Sequence, residues 1–280
     1  MSFSVNKSWL RQIRSTLGAT PRAGWSKADP LKPARAAFAP AGRVFYVIGD
    51  IHGRADLLED LLNQIIGDAE RLEDGVEREI IFLGDYVDRG PDSRLVIDMV
   101  LAARSDRRFA AVTALKGNHE DALLRFLRDA NVWPVWSQYG AHETLIAYGV
   151  APPPANGNIE QWALARLRLE AAIPPDHLAF LEGLELSATR GDYFFVHAGV
   201  RPGVPLEHQS ERDMLSIRDE FITCPEPFDK VVVHGHTVGE PYLGANRIAL
   251  DTGAYASGVL TAIKLKDGER TLLQTRPVIA

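Results

Sequence analysis

The 280-residue chain is 46% hydrophobic and 24% charged, the balance of an ordinary globular protein with ample material for a core. A net charge of −6 argues against general affinity for nucleic acid, and no apolar run reaches the length of a membrane span. The single cysteine, Cys224, excludes an internal disulfide framework and fits a reducing compartment, so the expected location is the cytoplasm.

The charge is uneven. Residues 1–40 carry seven Lys/Arg against Asp29 alone, which leaves 24 basic and 36 acidic residues beyond them, a net of −12. An acidic body that handles an anionic substrate needs local cations, from metal or from arginine. Residues 1–40 read as a basic N-terminal extension: Trp9, Leu10, Ile13 and Leu17 fall at helical spacing, and Pro21, Pro30, Pro33 and Pro40 then oppose a long helix. Two readings stand for it: an arm lying on its own acidic body or a frayed tail, or a basic amphipathic arm for an acidic partner or a membrane surface.

From Arg43 strands alternate with helices. Val44–Ile48 is a near-continuous apolar run, as in a strand buried on both faces, and ends at Gly49-Asp50-Ile51-His52-Gly53. Leu57, Leu58, Leu61, Leu62, Ile65 and Ile66 then mark an amphipathic helix. A second strand, Glu79–Leu83, leads into Gly84-Asp85-Tyr86-Val87-Asp88-Arg89-Gly90, with Pro91 and Asp92 suited to the start of another helix. A third, about Phe109–Leu115, ends at Lys116-Gly117-Asn118-His119-Glu120. Residues 129–190 read as mainly helical, with Trp133, Trp136, Trp162, Tyr139 and Tyr148 as packing residues of a cap. The runs Tyr193–His197, Lys230–His234, Arg247–Leu250 and Gly258–Leu265 lack long helices between them and predict a second, mixed or antiparallel sheet.

Each strand end carries a ligand-capable side chain: Asp50 and His52, Asp85 and Asp88, Asn118 and His119, His197, and His236. In open α/β sheets such carboxyl-end turns lie side by side and form the ligand site. Carboxylates, imidazoles and one amide make a mixed N/O donor set, suited to Mn, Fe, Zn or Ni rather than to Ca or Mg. Such a set exceeds one tetrahedral site but matches two divalent ions sharing a bridging carboxylate. Ions about 3.5–4 Å apart can clamp the attacking and leaving oxygens of a phosphoryl displacement. Of the remaining histidines, His234 is expected to be a packed core residue, with an outer-shell role beside His236 as the other reading.

The series GDIHG (49–53), GDYVDRG (84–90), GNHE (117–120), HAG (197–199) and GHT (235–237) resembles the metallophosphoesterase superfamily, and within it the bacterial and phage branch of PPP-type serine/threonine phosphatases. The resemblance runs from about Val44 to the C-terminal strands. It implies an α/β calcineurin-like metallophosphoesterase fold for residues 41–280: two packed mixed sheets flanked by helices, with a helical insertion at about 121–190. It also implies Asp50, His52 and bridging Asp85 at one metal, and Asp85, Asn118, His197 and His236 at the other, manganese being the first expectation. His119 becomes the general acid with Asp88 as its partner, and Arg89 and Arg218 hold the phosphoryl oxygens. The implied reaction is direct attack by a hydroxide bridging the two metals.

Hydrolases of symmetrical dinucleoside tetraphosphates resemble the chain too, but typically have Ala at the position of Asp88 and GNHD for GNHE. Asp88 and Glu120 therefore favour phosphomonoesters, with phosphoserine or phosphothreonine on proteins as the expected substrate. A dinucleoside polyphosphate or another small phosphoester is the alternative, and a non-catalytic binding protein a remote one. Ser216 stands where a Trp is expected two positions before Arg218.

Overall fold

A computed structural model describes residues 37–275. Most of the basic extension read from the sequence, residues 1–36, lies outside the described residues, while Ala37 and Ala39 are buried against the body.

The first half is built from strand–helix units. Strand β1 (Arg43–Ile48) leads to helix α1 (Ala55–Ala69), β2 (Glu77–Phe82) to α2 (Ser93–Arg104), and β3 (Ala111–Ala114) to α3 (Asn118–Arg128). The helical insertion follows as α4 (Trp133–Trp136), α5 (Ala141–Ala147), α6 (Ile159–Ala172) and α7 (Pro175–Glu182). Then come β4 (Ser187–Arg190), β5 (Tyr193–Val196), α8 (Glu211–Ser216), α9 (Asp219–Ile222) and β6 (Val231–His234). The chain closes with β7 (Tyr242–Leu243), β8 (Arg247–Ala249), α10 (Ala254–Ser257), β9 (Thr261–Lys266) and β10 (Glu269–Gln274).

Two five-stranded mixed sheets result, in the orders β10-β9-β1-β2-β3 and β4-β5-β6-β8-β7. Strands β1, β2 and β3 run parallel, and so do β5, β6 and β8. The sequence places Gly258–Leu265 in the second sheet; instead β9 pairs antiparallel with β1, Val47 opposite Ile263, and closes the first sheet. Its alternation suits this place. Ile263 and Leu265 fill the layer between the sheets while Leu260 and Ala262 join the helix-side core, so both faces of the strand are used. The edge strands β4, β7 and β10 carry no comparable apolar run and are absent from the sequence reading.

Strand β1 shows the same period of two. Phe45 and Val47 face the inter-sheet core with Ile81, Phe195, Val233 and Ile248, whereas Val44, Tyr46 and Ile48 pack under Leu58, Leu61, Ile65 and Val96. A buried ion cluster ties the sheets at one end. Glu79 of β2 accepts from Arg190 of β4 (2.7 Å), from Thr113 of β3 (2.8 Å) and from Arg43 of β1 (3.3 Å). Among the described residues, no helix is long and apolar enough to cross a membrane.

Candidate active site

Because three parallel strands in each sheet end on the same side, their following turns converge along one edge. The first sheet delivers Asp50 and His52, then Asp85, Asp88 and Arg89, then Asn118 and His119. The second delivers His197 after β5, His236 after β6 and Asp251 after β8, with Arg218 preceding α9. Every metal-ligand candidate from the sequence is buried here.

The backbone is forced to make this convergence. Six non-glycine residues among those described have φ between 47° and 72°, and five of them are His52, Asp85, Asp88, Arg89 and His236. Such conformations cost of order 1–3 kcal/mol each and persist only where surrounding contacts over-determine them. Glu120 supplies much of that constraint. Its buried carboxylate accepts the backbone N–H groups of Asp85 (2.9 Å), Tyr86 (2.8 Å), Val87 (3.2 Å) and Gly117 (2.9 Å). The residue read from the sequence as a mark of substrate preference is thus the clamp that joins the turns after β2 and β3. Gly235 is required by proximity, since a Cβ there would lie 1.9 Å from Oδ1 of Asp50.

The donor atoms face one another. His52 Nδ1 donates to the carbonyl of Val87 (2.8 Å), leaving Nε2 bare and 3.4 Å from Oδ2 of Asp85. His197 Nδ1 donates to the carbonyl of Leu83 (3.0 Å), so its Nε2 lone pair points at Oδ1 of Asn118 (2.8 Å) and Oδ1 of Asp85 (3.5 Å). His236 Nδ1 is also 2.8 Å from that Asn118 oxygen. Two clusters of ligating atoms emerge, His52/Asp85/His119 and Asp85/His197/His236, with Asp85 common to both; Asp50 stands beside them, its Oδ2 accepting the N–H of His236 (3.0 Å).

These residues fit a pair of cations. Oδ1 of Asp50 and Nε2 of His236 are buried with no hydrogen-bond partner, and acceptors confront acceptors at the centre. Burial pushes Asp85 up to about 7 and His197 down to about 4. Burial, then the charges of Asp251 and Asp85, hold Asp50 well above the usual carboxylate range. Divalent cations among these groups would reverse those penalties and favour the ionised carboxylates.

Beside the clusters, His119 Nδ1 is 2.6 Å from Oδ2 of Asp88, and its Nε2 is 3.3 Å from Nη2 of Arg89. The Arg89 guanidinium lies 4.5 Å over the ring of Tyr255, which also meets His52 edge-on. Arg218 lies beside these groups, with Ser216 two positions before it. Its Nη1 reaches the carbonyl of His236 (3.3 Å), and its Nε is buried without a partner. Burial lowers the Arg218 pKa, and the like charge of Arg89 adds to it, so an anion between the two arginines would be stabilised.

Several partners went unread in the sequence. Asp251 is a further buried carboxylate near Asp50; an acid directly after an apolar strand, with a glycine close by, was the available signal. Trp136, assigned to packing alone, also donates its indole N–H to Oδ2 of Asp88 (2.7 Å), and Thr144 donates to Oδ1. His234 is a packed core residue, its edge against Phe221 and its Nε2 3.3 Å from Nη1 of Arg247.

The calcineurin-like phosphoesterase family matches residues 43–250. A bis(5'-nucleosyl)-tetraphosphatase PrpE [asymmetrical] of Oceanobacillus iheyensis is 27% identical over 256 residues, 84% of this chain and 94% of its own. The protein of that name from Geobacillus thermodenitrificans is 28% identical, over 78% of this chain and 89% of its own. Among solved structures, a candidate diadenosine tetraphosphatase has a TM-score of 0.55 at 21% identity, covering 88% of this chain and 96% of its own. A cold-active protein-tyrosine phosphatase of a psychrophilic Shewanella has 0.51 at 17%, covering 92% and 87%. The two solved structures share the fold, and with a family match over residues 43–250, from the first residue of β1 to just past β8, the chain belongs to the calcineurin-like phosphoesterase family.

Proposed function

We propose that this protein hydrolyses a dinucleoside polyphosphate at a two-metal centre. The machinery rests on one observation: Asp85 stands at the overlap of two buried clusters of His and Asp donors. Asp50, His52 and Asp85 would hold one divalent ion, and Asp85, Asn118, His197 and His236 the other, manganese being the first choice for this N/O set. When bound, the ions supply a water of lowered pKa and offset charge on the phosphoryl oxygens.

The chain's own residues do the rest. Arg89 and Arg218 bracket the site and suit the forked geometry of phosphoryl oxygens. We assign His119 as the proton donor: its Nδ1–H is held by Asp88, which leaves Nε2 toward the site. With no substrate that nitrogen takes a hydrogen bond from Arg89, so it becomes free for a proton when Arg89 turns to phosphate.

The substrate choice is supported by the relatives named as asymmetrical tetraphosphatases, which match this chain over nearly their whole length. The sequence-based preference for phosphoproteins compared Asp88 and Glu120 with symmetrical hydrolases only, and Glu120 has a structural task. A second reading, phosphoserine or phosphothreonine, retains one specific support. The buried His119–Asp88 pair suits a poor alkoxide leaving group, whereas a nucleoside polyphosphate leaves readily without an acid. In either reading we place the enzyme in the cytoplasm.

The deciding experiment compares kcat/KM under manganese for a dinucleoside tetraphosphate, a phosphoserine peptide and a nucleoside monophosphate. Preference for the tetraphosphate, with unequal nucleotide products, is expected. Preference for the phosphopeptide by orders of magnitude would replace the first reading with the second.

A further inference from the structure

The helical insertion reaches the reacting centre at one side chain, Asp88. This carboxylate is fully buried, and its residue and the next have φ of 72° and 70°. Oδ2 of Asp88 takes the indole N–H of Trp136 (2.7 Å) alongside His119 Nδ1 (2.6 Å), and Oδ1 takes the hydroxyl of Thr144. The Asp88 N–H is shared between Thr144 Oγ1 (2.9 Å) and Ser93 Oγ (3.1 Å). Since the one hydroxyl hydrogen of Thr144 is on Asp88, Ser93 must be the donor in the 3.2 Å contact between the two hydroxyls. The ring of hydrogen bonds is closed and fully used. Just along the chain, the carbonyl of Gly140 accepts the N–H of Arg89 (3.2 Å), at an approach so close that a Cβ on Gly140 would come within 2.3 Å of that nitrogen.

An indole N–H can only donate, so Trp136 requires an acceptor lone pair at Oδ2. With donors on both oxygens, the plane of the carboxylate is fixed. Through the shared Oδ2 this fixes the plane of the His119 ring, and hence the direction of Nε2. Trp136 is itself immobilised, fully buried against Phe126 and Trp133. Neither Trp136 nor Thr144 touches the reacting atoms.

We infer that Trp136 and Thr144 are positioning residues of the insertion which, through Asp88, aim His119 at the leaving oxygen. The inference rests on the proposed role of His119 as the acid. In that step the P–O bond to the leaving group breaks, the leaving oxygen keeps its electron pair and takes the proton from His119 Nε2, and water supplies the oxygen bound to phosphorus. His119 is then reprotonated from solvent.

The test uses the full chain loaded with manganese and two esters that differ in need of an acid, 4-nitrophenyl phosphate and phenyl phosphate. His119→Asn should lose more on phenyl phosphate, within the roughly 10²–10⁴-fold range of general-acid catalysis. Trp136→Phe and Thr144→Val should shift the ratio of the two kcat/KM values the same way, by about tenfold, and Thr144→Ser should restore it. A readout independent of turnover is the NMR resonance of the His119 Nδ1 proton in the metal-free protein, identified by its loss in Asp88→Asn. It should move in Trp136→Phe and in Thr144→Val.

Equal losses on both esters with an unmoved resonance would reduce Trp136 and Thr144 to packing and overturn the inference, leaving His119 as the acid. A His119→Asn variant with an unchanged ester ratio would instead remove the acid assignment on which the inference stands.

Discussion

Asp85 is the side chain on which most of the site depends, because its two oxygens serve separate clusters and its backbone is held at φ 52°. Replacing it by Asn keeps the shape and removes the charge. Asp85→Asn should lower kcat by on the order of 10³-fold, the scale of losing a major electrostatic element, with KM less affected. Retained turnover in that variant, or in chelator-treated protein, would end the two-metal reading. Arg89 makes a different demand. Its planar fork lies over Tyr255, a placement that an ammonium on a flexible stem does not reproduce. Arg89→Lys should cost about 10–100-fold in kcat/KM, the value of a charged hydrogen bond of about 1.5–3 kcal/mol. Steady-state kinetics on the preferred substrate would check it.

At the scale of elements, turns are locked to one another by a few buried acceptors. Glu120 takes four backbone donors from two turns that do not pair as strands. Glu120→Gln substitutes an amide whose N–H₂ meets N–H groups, so unfolding in urea should show a loss of about 1–3 kcal/mol for unsatisfied buried donors. The segment carrying Arg218 is fastened more weakly, by Arg201 to Asp213 (2.6 Å) and Glu220. The Arg201 hydrogen bonds hold Asp213 below the usual carboxylate range. A carboxyl depressed in the folded state adds stability above its unfolded pKa of about 3.9, and that stability is lost as pH falls through the lower folded value. Asp213→Asn should therefore cost less than about 1 kcal/mol at neutral pH, an amount that shrinks as the solution is acidified below about pH 4. A constant difference down to the acid limit would disprove the coupling.

For the whole molecule, the acidic net charge and the cluster of buried, mutually repelling donors mean that cations and fold are linked. A ligand that binds only the native state stabilises it by RT ln(1 + [L]/Kd), about 2.7 kcal/mol at a hundredfold excess over Kd. Melting temperature should rise steadily with the logarithm of manganese concentration, and Asp85→Asn should blunt the rise. Identical melting curves with and without metal would contradict it. Removing residues 1–36 should leave turnover unchanged, since the described body from residue 37 already contains both sheets and the whole site. A large fall in kcat would give the extension a catalytic task.

Read alone, the sequence named the metal-ligand candidates that the fold gathers at one edge. Asp50, His52, Asp85, Asn118, His197 and His236 each follow a short apolar strand, and a polar side chain at a strand end with a glycine close by leaves a local, readable pattern. It also determined the order of strands and helices in the first half, where periodicities of two and 3.6 are clear. Tertiary structure decided where β9 goes, because its alternation is compatible with either sheet until Val47 faces Ile263. It also decided what supports the chemistry. Trp136 and Thr144 meet Asp88 across 48 and 56 residues, and Glu120 reaches back 34 residues to the N–H of Tyr86. Such hydrogen bonds have no period and no fixed spacing. They exist only once two sheets and an insertion have brought distant turns to one edge.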